Sequence, residues 1–164
     1  MAEDIIIVDD EDDIRTLIAG ILEDEGYETR QAGSAEDAID AIAARRPSLI
    51  ILDIWLEGSR LDGMELLHII QREHPEVPVV MISGHGSIET AVQAIKVGAY
   101  DYIEKPFKTD RLILIVSRAI EASRLRRENR ELRLRAGPET ELVGDGATIS
   151  QLRQTVDKVA PTGS

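Results

Sequence analysis

Five residues with reactive side chains follow short apolar runs at widely separated places in the chain. Asp9 and Asp10 come directly after "IIIV", Asp53 ends "LIILD", Ser83 ends "VPVVMIS", and Lys105 follows "YDYIE". Carboxylate oxygens are the ligands that Mg²⁺ prefers, and Mg²⁺ needs few protein ligands because it keeps several waters. If the fold brings these residues together, they predict a magnesium site with a lysine and a hydroxyl beside it and with metal positions open to phosphate oxygens.

The apolar runs predict strands, and the segments between them predict helices. Short apolar runs at 5–8, 48–53 and 77–83 are typical of strands buried on both faces, whereas 27–32 alternates weakly and favours a strand nearer the edge. A fifth strand is expected within 100–107. Five strands alternating with five helices predict an α/β fold with a parallel sheet and helices on both faces. In such folds the polar groups gather beyond the carboxyl ends of the strands.

Helix boundary residues support this alternation. Ser34 and Ser87 are expected to cap the second and fourth helices, and Asp62 lies near the start of the third. Gly26 and Gly98 are expected at the ends of the first and fourth helices. These residues place the reactive side chains in loops that follow strands.

Composition excludes several classes of function. The 164 residues include no cysteine, so disulfides and thiolate metal sites are excluded. The net charge of -12 does not favour nucleic acid, and the eight arginines between residues 111 and 135 are more typical of a solvated helix face. No secretory signal or membrane-length apolar run is seen, so we expect a cytoplasmic protein that does not contact a membrane.

Four motifs in order resemble the receiver domain of bacterial two-component response regulators. They are "VDDE", "IILD", "ISGHG" and "DYIEKPF", and the resemblance covers residue 4 to about residue 121. It implies a flavodoxin-like or CheY-like fold with strand order 2-1-3-4-5. It also implies that Asp53 accepts a phosphoryl group from a sensor histidine kinase, with the carboxylate as nucleophile and an acyl phosphate as product.

The resemblance implies a metal role for four residues. Asp10, Asp53 and the backbone carbonyl of Trp55 would bind Mg²⁺, with Mn²⁺ as an alternative, and Asp9 would help directly or through water. The acids that repel each other at the end of the first strand would thus be held by the cation that they bind.

The same resemblance assigns the other motif residues. Lys105 and Ser83 would each contact a phosphoryl oxygen, and the Lys105–Pro106 peptide is expected to be cis. Tyr102 would be the switch aromatic that rotates as Ser83 moves, changing the surface made by the fourth helix, the fifth strand and the fifth helix.

The loop after Asp53 departs from the common receiver pattern. "DIWLEGSRLDG" is longer than usual and lacks proline, a form that resembles the NtrX branch of the NtrC-type regulators. The sensor partner would then be an NtrY-like kinase, and the parent protein would regulate transcription, in a nitrogen- or redox-type response.

The chain continues past the receiver into a helix too long for one small domain to cover. Ala122, Leu125, Asn129 and Leu132 fit a heptad core, which favours a homodimer, although a solvent-exposed linker fits the same pattern. We therefore expect a receiver at 1–121, a helical linker at 122–140 and the start of an AAA+ ATPase domain at 141–164. No "GK" pair is present, so ATP and DNA would be bound only by domains outside this chain.

Two other functions remain to be weighed against the phospho-acceptor. A magnesium phosphatase usually carries a second carboxylate two residues after its nucleophile, and Trp55 at that position argues against such an enzyme. Self-catalysed phosphotransfer and dephosphorylation would be the only chemistry of this chain. A dimerisation module that works without phosphorylation stays open. Taken singly, each reactive residue is also explained as a helix start, a cap or turn chemistry.

Overall fold

The computed structural model describes residues 3–56, 58–84 and 88–136. The elements alternate along the chain as β1 (Asp4–Val8), α1 (Asp12–Asp24), β2 (Glu28–Ala32), α2 (Ala35–Ala44), β3 (Leu49–Asp53), α3 (Gly63–Glu73), β4 (Val79–Ser83), α4 (Ile88–Val97), β5 (Asp101–Glu104) and α5 (Thr109–Ala136). The sheet is parallel in the order β2-β1-β3-β4-β5. The predicted α/β fold, its strand order and the long last helix are confirmed.

Two apolar layers cover the two faces of the sheet. Alternate residues of the central strands face opposite layers, as the two-residue period of a strand requires, and β1, β3 and β4 are buried along their whole length. One layer packs against α2, α3 and α4, and the other packs against α1 and α5. The edge strand β2 is only partly buried, as its weak alternation predicted.

Helix starts follow the capping chemistry of the sequence. Ser34 accepts a hydrogen bond from the backbone N–H of Asp37 at the start of α2. Asp62 and Glu65 form a reciprocal capping box at the start of α3. Gly26 and Gly98 follow α1 and α4 with positive φ, a conformation that residues with side chains rarely adopt. The expected cap at Ser87 lies outside the described residues.

Contacts divide the chain into two units, Met1–Arg124 and Leu125–Ser164. Within the first unit, α5 buries one face at helical spacing, through Leu112, Ile115, Val116, Ala119 and Ile120. In the second unit, Leu125 and Leu132 are exposed on the helix. The part of the chain that the structure describes contains no helix with both the length and the apolar character of a membrane span. Residues 137–164, including the expected ATPase fragment, lie outside that part.

Candidate functional site

The predicted site residues lie at one edge of the sheet. Asp9 and Asp10 follow β1, Asp53 ends β3, Ser83 ends β4 and Lys105 follows β5. Because β1, β3, β4 and β5 are consecutive parallel neighbours, their carboxyl ends meet at the same edge. The observed strand order thus brings together residues that are distant in sequence.

Three carboxylates form an acidic cluster, defined here as Asp9, Asp10 and Asp53. Each offers an oxygen, and these oxygens lie within 4.8 Å of one another. Asp9 and Asp53 are buried, whereas Asp10 is half-buried. Carboxylates this close repel one another unless a cation lies among them.

Lys105 provides a cation inside the site. Its Nζ lies 3.0 Å from Oδ2 of Asp9 and 3.3 Å from Oδ2 of Asp53, and it lies 3.8 Å from Oε1 of Glu11. The Lys105–Pro106 peptide bond is cis. The ammonium is therefore shared between two buried carboxylates that belong to different strands.

Backbone groups and an arginine hold the acids in place. Oδ1 of Asp9 accepts a hydrogen bond from the N–H of Glu11 at 2.8 Å, and Oδ1 of Asp53 accepts one from the N–H of Trp55 at 3.2 Å. Arg15 donates to the Asp9 carbonyl at 2.6 Å and to Asp12 at 2.9 Å. Sequence reasoning missed Arg15, although its position three residues after Asp12 was the signal for such a pair.

The shared lysine does not fully offset the two buried acids. Burial of the Asp53 carboxyl, together with the charge of Asp9, raises the pKa of Asp53 to about 6, while Lys105 and the N–H of Trp55 oppose this rise. Burial acts to lower the pKa of Lys105, but its contacts with Asp9 and Asp53 outweigh burial and raise that pKa. The site is short of positive charge, which is the electrostatic condition for binding a cation.

Ser83 and Tyr102 lie on the two strands beside the acidic cluster. Ser83 is fully buried at the end of β4. Tyr102, on β5, packs against the apolar layer formed with α2, α3 and α4. Burial raises the pKa of Tyr102, and the nearby Ser83 hydroxyl opposes this rise without meeting the geometry of a hydrogen bond. Within the described ranges the buried Tyr102 hydroxyl has no hydrogen-bond partner.

Tyr102 also lines a groove of about 460 Å³ between α4 and β5. Its apolar wall comes from α4 and includes Val92 and Ile95, each nearly half exposed. Exposed apolar side chains concentrated on one surface are a common feature of interaction sites. The heptad residues Ala122, Leu125, Asn129 and Leu132 lie on α5.

The fold and the acidic cluster together define a class of protein. The family described as "Response regulator receiver domain" matches residues 5–117, which is most of the chain, and this chain belongs to that family. It is thus a receiver domain of the two-component type, as its motifs predicted.

Among curated relatives, the chain is most informatively compared with NtrX. It is 68% identical over 164 residues to the nitrogen assimilation regulatory protein NtrX of Azorhizobium caulinodans, covering 100% of this chain and 36% of that protein. It is 48% identical over 161 residues to a putative response regulator described as NtrX-like from Rickettsia bellii, covering 98% of this chain and 34% of that protein. These matches confirm the resemblance to the NtrX branch, and the chain spans about a third of the length of these relatives.

Solved structures of receiver domains are also similar to this chain. The receiver domain of NtrX from Brucella abortus is 67% identical, with a TM-score of 0.70, and the match covers 71% of this chain and 98% of that one. A CheY-like receiver domain protein from Methanospirillum hungatei is 29% identical, with a TM-score of 0.72, over 77% of this chain and 99% of that one.

Proposed function

We propose that this chain accepts a phosphoryl group on Asp53 from a sensor histidine kinase. The observation that carries the proposal is the position of the Asp53 carboxylate, which is buried within the acidic cluster and lies 3.3 Å from Lys105. A carboxylate oxygen of Asp53 would form a bond to phosphorus as the bond between phosphorus and the donor breaks. The product is an acyl phosphate on this side chain.

The acidic cluster fits Mg²⁺ or Mn²⁺ as the resident metal. Its three carboxylates offer hard oxygen ligands from two adjacent strands, and the backbone of Trp55 lies directly beside Asp53, to which its N–H donates. Asp10 and Asp53 would bind the metal with the Trp55 carbonyl, and Asp9 would take part directly or through water. When bound, the metal supplies positive charge for the phosphoryl oxygens.

Lys105 and Ser83 would hold the transferred group. Lys105 already lies between Asp9 and Asp53, so its ammonium can contact a phosphoryl oxygen on Asp53 with little movement. Ser83 ends the neighbouring strand and would donate its hydroxyl to another oxygen. Fixed donors of this kind stabilise developing charge without rearranging during the reaction.

We expect phosphorylation to change the surface of the groove between α4 and β5. A buried hydroxyl without a partner is costly, and the Tyr102 hydroxyl lies in that condition within the described part of the chain. Movement of Ser83 toward the phosphoryl group would change the surroundings of Tyr102 and hence the apolar surface that it lines with α4. We expect this change to alter homodimer formation, with the heptad on α5 as a second contact.

The relatives extend the proposal beyond the described residues. NtrX of Azorhizobium caulinodans is described as a nitrogen assimilation regulatory protein, and this chain covers 36% of its length. We therefore propose a receiver at 1–121, a linker at 122–140 and an AAA+ fragment at 141–164, with an NtrY-like kinase as the partner. Binding of ATP and DNA, and regulation of transcription, would belong to further domains of the parent protein.

Intact-protein mass after incubation with a small phosphoryl donor tests this function. We expect one added phosphoryl group with Mg²⁺ and none with a chelator. Asp53→Asn should abolish the adduct, and Asp12→Asn should retain it because Asp12 lies on the exposed start of α1. No adduct on the wild type, or an equal adduct on Asp53→Asn, would contradict the proposal.

A dimerisation module that works without phosphorylation is the second candidate. The exposed apolar side chains of α4 and the exposed Leu125 and Leu132 favour it, because they offer association surfaces that do not involve Asp53. Sedimentation of the wild type and Asp53→Ala, with and without a phosphate mimic, separates the two. A mimic-driven change that persists in Asp53→Ala would favour the second candidate.

A further inference from the structure

The long loop at residues 54–62 separates the phosphoacceptor from α3. Ile54 and Leu56 are buried, and Trp55 between them is 46% exposed. A loop without regular structure is positioned by a small number of specific contacts, and each contact must outweigh the entropy that the loop loses. The contacts made by the middle of this loop therefore decide where its backbone lies.

Two side chains fasten the middle of the loop to the start of α2. We name Glu36 and Ser59 the loop latch. Oγ of Ser59 accepts a hydrogen bond from the N–H of Ala35 at 2.9 Å and donates one to Oε1 of Glu36 at 3.2 Å. Oε2 of Glu36 accepts a hydrogen bond from the N–H of Arg60 at 3.0 Å. Both oxygens of the carboxylate thus bind the loop.

The start of α2 favours this arrangement. The first N–H groups of a helix lack partners inside the helix, and Ser59 satisfies one of them from a distant part of the chain. The N–H of Glu36 itself, with Arg60, Ser59 and Ser34, lowers the pKa of the Glu36 carboxyl. The charged carboxylate is the stronger acceptor for both loop donors.

Both ends of the loop close on the phosphoacceptor. At the near end, the N–H of Trp55 donates to Oδ1 of Asp53 at 3.2 Å. At the far end, the N–H of Gly63 donates to the carbonyl of Ile54 at 2.8 Å, and a Cβ at position 63 would lie 2.0 Å from the Asp53 carbonyl oxygen. Trp55 lies between the near end and the middle of the loop, so release of the middle allows the Trp55 backbone to shift relative to Asp53.

We infer that Glu36 and Ser59 are positioning residues for the phosphoacceptor site. They hold the loop so that the Trp55 backbone stays beside Asp53, where its carbonyl is available to the metal. The metal part of this inference rests on the proposed function, whereas the effect of the loop latch on Trp55 does not. Loss of the loop latch should therefore weaken Mg²⁺ binding without removing any group that contacts the phosphoryl oxygens.

Trp55 is the only tryptophan in the sequence, so its fluorescence reports on this loop alone. In the metal-free full chain, Glu36→Ala and Ser59→Ala should increase quenching of Trp55 emission by acrylamide. The Mg²⁺ concentration at half-maximal phosphorylation by a small donor should rise roughly three- to tenfold, the effect of one or two ordinary hydrogen bonds. The rate at saturating Mg²⁺ should stay close to that of the wild type.

Matched variants separate the loop latch from charge and from general stability. Glu23→Ala makes the same charge change and also breaks one hydrogen bond, because Glu23 accepts from Oγ1 of Thr29 at 2.6 Å. We expect it to leave quenching and Mg²⁺ dependence unchanged. Glu36→Gln keeps an acceptor oxygen and should fall between the wild type and Glu36→Ala. In the double variant, Ser59→Ala should add little to Glu36→Ala because the two residues act together.

Unchanged quenching and Mg²⁺ dependence in folded Glu36→Ala and Ser59→Ala would overturn the inference. An equal shift in Glu23→Ala would also overturn it, since the effect would then be one of charge. If Glu36→Ala does not fold, Ser59→Ala decides the question by the same readings. A wild type that takes no phosphoryl group would contradict the proposed function, while the quenching comparison would still test the loop latch.

Discussion

The two ends of β1 carry buried aspartates whose negative charge is offset to different extents. Asp4 is the first residue of β1 and Asp9 follows its last residue, so a carboxylate lies at each end of this strand. Both are buried and both contact cationic side chains. The two carboxylates differ in their cationic partners, and only Asp9 belongs to the acidic cluster of the proposed site.

At the amino end of β1, two arginines contact the carboxylate of Asp4. Arg30 donates to both oxygens of Asp4 through Nε and Nη2, and Arg45 lies 3.4 Å from Oδ1. The remaining donors of Arg30 are used by the carbonyls of Ala41 and Arg45, at 2.7 Å and 2.6 Å. Bidentate pairs of this kind fix both charge and geometry.

At the carboxyl end of β1, Lys105 contacts two buried carboxylates. Nζ of Lys105 contacts Asp9 and Asp53, and the half-buried Asp10 adds a third acid to the cluster. Burial of the Asp53 carboxyl, followed by the charge of Asp9, raises the pKa of Asp53 to about 6 although Lys105 opposes the rise. The excess of negative charge at the carboxyl end of β1 favours the binding of a divalent cation. The described residues at the amino end show no such excess.

The largest expected effect comes from removing the charge of Lys105, which contacts both Asp9 and Asp53. Lys105→Met should slow phosphorylation of Asp53 by a small donor roughly 10²-fold, as removal of one fixed donor to developing charge commonly does. The rate of appearance of the phosphorylated mass measures this. Lys108→Met makes the same charge change at an exposed position nearby and should keep the wild-type rate. Equal rates in Lys105→Met and the wild type would remove Lys105 from the proposed site.

At the other end of β1, the expected effect is on stability alone. Asp4→Asn leaves Arg30 and Arg45 without their carboxylate, so it should lower the free energy of unfolding by about 2 kcal/mol. Chemical denaturation measures the change, and Asp24→Asn at an exposed position of α1 is the neutral control. Phosphorylation of folded Asp4→Asn should match the wild type. A slower reaction would mean that the two ends are coupled.

Added Mg²⁺ should stabilise the protein through the acidic cluster. At ten times its dissociation constant, a ligand that binds only the folded state adds about 1.4 kcal/mol. We expect this gain in the wild type and its loss in Asp10→Ala, as measured by denaturation with and without Mg²⁺. Asp13→Ala removes an exposed acid of the same run and should keep the gain. A full gain in Asp10→Ala would place the metal elsewhere.

Much of this arrangement could be predicted from residue types and order. The buried runs at β1, β3 and β4 are continuous and aliphatic, and Ser34 and Asp62 cap the helices expected after them. Once a parallel sheet is expected, the residues at its strand ends must gather at one edge. Asp53 and Lys105 could therefore be associated although they are 52 residues apart.

Contacts that no period or motif marks could not be predicted. The contact between Glu36 and Ser59 joins the start of α2 to the loop after β3 through ordinary surface residue types, and neither residue stands at the end of a strand. The position of Arg30 on β2 also decides that the arginine pair contacts Asp4 and not Asp9. Such pairings follow from the register of the sheet, which the sequence pattern alone leaves undetermined.

The most direct test of the contrast between the two ends is the stability of Asp53→Asn in metal-free buffer as a function of pH. Unfolded Asp53 titrates near pH 4 and the folded carboxyl near pH 6, so between these values the folded state binds more protons. The wild type should therefore lose stability as pH rises from about 4 to about 6, and Asp53→Asn should lack this loss.

At about pH 7.5, Asp53→Asn should be more stable than the wild type by about 1 kcal/mol, less than the full pKa shift would give because relaxation around a buried charge reduces its penalty. The advantage should vanish toward about pH 4. Asp4→Asn, measured alongside, should be less stable than the wild type at about pH 7.5. If Asp53→Asn is instead destabilised as Asp4→Asn is, the acidic cluster is already neutralised and the account is wrong.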